Sequence, residues 1–131
     1  MIALDTNVVV RFLVNDDEVQ GRKVRALFDS AEKTGESLFV TVPVLLELMW
    51  VLSAVYDFTR DEVIEALELL AEMPIPRLEN FSAVQKLIQL GRLTRADLPD
   101  LLIGLTGQVH GCEYTLTFEK GLSRTGLFEH L

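Results

Sequence analysis

The chain has 131 residues, of which 49% are hydrophobic and 24% charged. That length and balance describe one ordinary globular domain spanning 1–131, not a disordered chain. A net charge of −8 argues against nonspecific attraction to nucleic acid, unless several of the acids are gathered around bound cations that reverse the local field.

The opening MIALD is a short apolar segment of strand type without a basic n-region, so no secretory signal is expected. Thr6-Asn7 supplies a helix start, and residues 6 to 14 and 17 to 33 read as two helices. SLFVT (37–41) is a second strand, and Thr41 is placed to cap the helix after it, with Pro43 tolerated in the first turn. That helix carries the longest apolar run, VPVLLELMWVLSAVY (42–56), too short and too charged to span a bilayer.

Thr59 and Asp61-Glu62 open a further helix through Ala71, closed by Met73-Pro74-Ile75-Pro76. A short strand is expected around 77–79. Asn80 is placed to cap a helix reaching Leu90, with Gly91 ending it, and Asp97 to cap another that runs to His110 and closes at Gly111. EYTLTF (113–118) is a clear strand, followed by a short helix near 119–125 and a final strand at 127–130. Strands alternating with helices imply a parallel sheet covered on both faces. The single cysteine, Cys112, has no internal partner, and two histidines, His110 and His130, do not make a Cys/His zinc site. A cytoplasmic protein is the simplest expectation.

Glu47 is the one charge in the apolar run, where an ionised carboxylate costs several kcal/mol unless it is paired. It lies early in its helix. Asp5 ends the first strand, Asp100 lies in the first turn of a helix, and Glu119 directly follows EYTLTF. In an open parallel sheet the carboxyl ends of strands and the starts of the next helices share one edge, where ligands bind. Four acids from distant segments can therefore converge. Such a cluster repels itself, and the hard cations Mg²⁺ or Mn²⁺ supply the missing charge. Two such cations can activate a water and stabilise the leaving oxygen of a phosphodiester.

Each acid also has a plainer reading. Asp5 or Thr6 can simply cap the first helix, and Asp100 sits three residues after Asp97 in a capping-box-like arrangement. Glu119 can be a solvated first-turn acid, and Glu47 a snorkelling surface residue.

IALDTNVVVRFLVNDD, LLELMWVL, ADLPDLLIG and GCEYTLTFEKGLSR together resemble the successive motifs of PIN-domain ribonucleases, most of all the VapC-type toxins of toxin–antitoxin pairs. The resemblance covers nearly the whole chain in order. It implies a three-layer α/β/α fold with a central parallel sheet, Mg²⁺- or Mn²⁺-dependent RNA cleavage, and a small antitoxin partner that blocks the site. Carried across residue by residue, the family's first acid falls on Asp5, followed by matching Thr6 and Asn7; the second falls on Glu47 and the third on Asp100. The fourth, usually the aspartate of a TFD motif, is Glu119 here, in Thr117-Phe118-Glu119. Its extra methylene favours water-mediated contact or support of the other ligands. Many relatives also have alanine where this chain has Pro99, which a first turn tolerates.

On this reading Asp5, Glu47 and Asp100 hold the metal and Glu119 completes the negative pocket. Thr6, Asn7 and Thr117 support it, and Arg92, Arg95, Lys120 and Arg124 are candidates to meet substrate phosphates. A homodimer or a toxin–antitoxin hetero-oligomer fits the excess of Leu and Val. Two rivals stand beside it. A haloacid-dehalogenase-like phosphatase would use Asp5 as nucleophile, but needs an acid where Asn7 stands. A non-catalytic PIN-like module acting through RNA or protein binding would keep the domain with a degraded site, and Glu119 is the hint toward it.

Overall fold

Short β-strands of two or three residues are joined by long helical crossovers, the connection that parallel pairing requires. The computed structural model describes residues 1–131 and divides into two compact units, 1–79 and 80–131.

In the first unit, β1 (Ile2–Ala3), β2 (Leu38–Val40) and β3 (Arg77–Leu78) form a parallel sheet in that order. The register pairs Ile2 with Leu38 and Phe39 with Arg77. Helices α1 (Thr6–Leu13) and α2 (Glu18–Thr34) make the first crossover, α3 (Val42–Ala54) and α4 (Arg60–Glu72) the second. The core is aliphatic: Val9, Val10, Leu38, Leu45, Leu48, Leu52, Ile64, Leu67 and Leu70 are almost wholly buried. Each such side chain contributes about 1.5–3 kcal/mol by leaving water. Phe12 and Phe28 stack with ring centroids 4.5 Å apart, pinning α1 to α2.

The second unit contains α5 (Phe81–Leu93), which packs on α6 (Leu98–Val109), and a two-stranded parallel ladder of β4 (Thr115–Thr117) with β5 (Phe128–His130). A short 3-10 helix, Lys120–Thr125, bridges the strands. Close packing is enforced at Gly104 of α6. A Cβ there would stand 2.8 Å from the Phe128 ring and 3.0 Å from Leu127 Cβ.

The structure keeps every expected element but changes three local details. Thr41 occupies the N-cap position of α3 without a side-chain cap bond; the carboxylate of Glu79 accepts the Val42 N–H instead. Asn80 precedes α5 with φ 53° and makes no side-chain cap bond, since capping side chains reach the first turn from extended backbone. Gly91 is buried inside α5, which continues to Leu93 because Gly91 sits where the helix packs, so it does not end the helix. All strand pairing is parallel, as the α/β class requires, in a three-stranded sheet of the first unit and a two-stranded one of the second. No helix is long and apolar enough to cross a membrane.

Candidate functional site

Asp5 follows β1 and is the N-cap of α1, its Oδ1 accepting the Thr6 N–H at 2.8 Å. The plain capping reading is therefore true as far as it goes, but a carboxylate has further acceptor positions and this one is exposed. Thr6 is 3% exposed, the one buried polar side chain of the chain's core. Asn7, beside it, is exposed.

Glu47 sits in the second turn of α3. That helix buries Val42, Leu45, Leu48, Met49 and Leu52 and leaves Pro43, Glu47, Trp50, Ser53 and Ala54 outside. The stripe repeats at intervals of three and four residues, as one helix face must. The expectation that burial would force a counter-charge on Glu47 is corrected: the side chain is exposed, so its charge keeps its hydration. Trp50, 63% exposed, is likewise outside the core.

In residues 80–131, Asp97 caps α6 by accepting the Asp100 N–H at 3.0 Å, so the capping arrangement foreseen for this pair is real. It does not exhaust Asp100, whose side chain is still free to act. Glu119 leaves β4, and its N–H is accepted by Thr117 Oγ1 at 3.0 Å, which sets the turn that presents the carboxylate. Asp97, Asp100 and Glu119 line one pocket of about 360 Å³ together with Arg95 and Arg124. Burial pushes the Asp100 carboxyl above its ordinary range, and the charges of Asp97 and Glu119 push it the same way.

No group of three or more His, Cys, Asp or Glu side chains is placed to hold a metal ion. The donors in the 360 Å³ pocket are all oxygens, the kind that Mg²⁺ and Mn²⁺ prefer, and the raised Asp100 carboxyl is what an added cation would relieve. The residues fit a hard cation in kind. His110, His130 and Cys112 are exposed and outside this pocket. Of the four candidate phosphate contacts, Arg95 and Arg124 line it, and Arg92 and Lys120 do not.

The PIN domain family model matches residues 2–127, nearly the full length and both units. The chain belongs to the PIN domain family. This PIN domain is also similar to a VapC ribonuclease of Aquifex aeolicus (strain VF5), 24% identical over 126 residues, which cover 96% of this chain and 93% of that protein.

Two features of the PIN domain lay outside the sequence reading. Glu79 caps α3 from the end of β3, with its Oε1 2.6 Å from the Val42 nitrogen, and no local pattern links residues 37 apart. Arg11 is bound by three side chains: Nε donates to Gln20 Oε1 at 2.7 Å, and Nη1 to Asp16 Oδ1 at 3.1 Å and to the Tyr56 hydroxyl at 3.0 Å. A signal for it existed. Arg11 is a lone cation in the apolar run VVVRFLV, the mirror image of Glu47 in its own run.

Proposed function

We propose that this PIN domain is a metal-dependent endoribonuclease of the VapC type, cleaving RNA phosphodiester bonds with Mg²⁺ or Mn²⁺. It acts in the cytoplasm as the toxin of a toxin–antitoxin pair, as a homodimer or in complex with its antitoxin. One observation carries the reading: the PIN family match runs over residues 2–127 and takes in all four acids. Asp5 and Glu47 come from residues 1–79, Asp100 and Glu119 from residues 80–131.

Asp5, Glu47 and Asp100 hold the cation. Asp5 enters oriented, because the Thr6 N–H fixes Oδ1 at 2.8 Å. Glu119, one methylene longer than aspartate, reaches the site through water and is aimed by Thr117. Thr6 and Asn7 support the first acid. A divalent cation held there would activate a water and stabilise charge on the phosphodiester oxygens. Arg95 and Arg124, on the rim of the acidic pocket, meet substrate phosphates and hold the chain in register. No histidine is assigned a proton, since neither lines the pocket.

The test is cleavage of a structured RNA with Mn²⁺, with and without EDTA, for the parent protein and Asp5→Asn. Asparagine retains the helix cap, so far-UV circular dichroism stays at the parental value while cleavage is lost. A parent that cleaves equally well in EDTA, or an Asp5→Asn protein at the parental rate, ends the proposal. A parent that binds RNA without cleaving it points to the non-catalytic module.

A further inference from the structure

Asp5 and Glu47 stand on different helices of the same unit, α1 and α3. A pair of carboxylates sharing a cation must be held to within a fraction of an ångström. The facing surfaces of these helices are aliphatic, with Val9, Val10, Leu45, Leu48 and Leu52 buried. Such burial is non-directional and favours contact without fixing how far one helix slides along another. Directional bonds are needed for that.

They occur at the far ends of both helices. Arg11 Nη1 donates to the Tyr56 hydroxyl at 3.0 Å and to Asp16 Oδ1 at 3.1 Å, and the Tyr56 hydroxyl donates to Asp16 Oδ2 at 2.8 Å. This closes a three-membered ring of charge-assisted bonds across 45 residues of sequence. Tyr56 is fastened to α3: its N–H is accepted by Val51 at 3.3 Å, and Phe58 N–H returns to Leu52 at 2.9 Å. Arg11 belongs to α1 itself and is further held by Gln20 of α2. The Tyr56 bond holds the Arg11 guanidinium above its ordinary pKa, with burial opposing, so the cation persists at every working pH. Asp5 lies six residues before Arg11, about 9 Å at helical rise, and Tyr56 follows the last residue of α3, Ala54, by two. Each helix then joins a candidate metal ligand, Asp5 at the start of α1 and Glu47 in the second turn of α3, to the ring near its end.

We infer that Arg11, Asp16 and Tyr56 form a positioning clamp that fixes α1 against α3 and thereby sets the separation of Asp5 from Glu47. This rests on the metal-site reading above. None of the three touches the cation or the substrate; they act through the helices.

The experiment compares Tyr56→Phe and Arg11→Lys with the parent, using the rise in melting temperature against Mn²⁺ concentration and the Mn²⁺ dependence of cleavage. Phenylalanine keeps the ring but removes the bond that joins the helices. Lysine keeps the charge but not the fork that meets three partners. Both variants are expected to need about tenfold more Mn²⁺ for half of the thermal shift, the usual effect of losing a group that supports a metal ligand. Thr59→Ala, which removes the capping box of α4, serves as control: it lowers the melting temperature with the Mn²⁺ midpoint unchanged. If Tyr56→Phe and Arg11→Lys behave like Thr59→Ala, the clamp is merely structural and the inference is overturned. If Asp5→Asn also keeps the parental Mn²⁺ midpoint, the metal reading fails first, and the clamp with it. Loss of the midpoint in Asp5→Asn alone overturns the clamp and leaves the metal reading standing.

Discussion

Glu79 Oε1 accepts the backbone N–H of Val42 at 2.6 Å, so the helix that carries Glu47 is capped from the end of a strand 37 residues away. Thr41, the residue in the N-cap position, makes no such bond. A carboxylate at a helix N-terminus also complements the helix dipole. The same residue is anchored by its own N–H on Val40 O at 2.9 Å, which continues the β2–β3 ladder. Glu79→Ala is expected to lose about 1–2 kcal/mol of stability in urea denaturation, the usual scale for a lost cap with a charged acceptor. Glu79→Gln retains an acceptor and loses less. Equal stability of all three proteins would show that solvent satisfies Val42 just as well.

Asp100 has its carboxyl raised in the folded protein, first by burial and then by Asp97 and Glu119. A raised acid holds its proton more tightly when folded, so its contribution to stability is present below the ordinary carboxylate range and is lost as pH rises through the folded pKa. At neutral pH without metal, the ionised group therefore opposes folding. Asp100→Asn should melt above the parent at pH 7 in EDTA, with the gap closing as pH falls into the acidic range. Added Mn²⁺ should reverse the order, since the variant lacks the ligand. A variant that melts below the parent in EDTA at pH 7 contradicts the assignment of strain to this carboxylate.

Glu119 is the residue at which this chain leaves the TFD pattern. Three acids can hold one cation, so Glu119→Ala should lower RNA cleavage less than Asp5→Asn does and raise the Mn²⁺ concentration needed for half-maximal rate. A change of about tenfold is the ordinary size for a group acting on a metal site through water. Glu119→Asp should keep or raise activity, because Thr117 Oγ1 holds the turn through the backbone whatever the side chain. Identical Mn²⁺ curves for parent and Glu119→Ala would remove Glu119 from the site.

Gly104 lies one turn after Asp100 in α6, against Leu127 and Phe128. An added methyl meets the aromatic ring at 2.8 Å and Leu127 Cβ at 3.0 Å, too close for contact without movement. Gly104→Ala is therefore expected to cost about 1–3 kcal/mol by overpacking, outweighing the roughly 1 kcal/mol that alanine gains in helix propensity. Chemical denaturation measures the balance, and a stabilised variant would mean that β5 yields freely.

The sequence by itself determined which segments become helices and strands, and which acids stand where strands end and helices begin. Those properties are local. Apolar spacing along 59–72, the Thr59–Glu62 box and the Asp97–Asp100 pair act within a few residues, and the structure holds both capping arrangements. The order of Asp5, Glu47, Asp100 and Glu119 along the PIN motifs was legible for the same reason. Exposure was not. Glu47 reads as a charge trapped in an apolar run, but α3 is apolar almost all round, so its sequence does not say which side meets water. Only packing of Leu45, Leu48 and Leu52 into the core turns Glu47 and Trp50 outward. The cap on Val42 was invisible, and of the Arg11–Asp16–Tyr56 ring only the lone cation in VVVRFLV was legible, because Glu79 lies 37 residues from Val42 and Tyr56 lies 40 and 45 residues from Asp16 and Arg11. Hydrogen-bond partners close in sequence follow from helix and turn geometry; distant ones are set by the register of the tertiary fold.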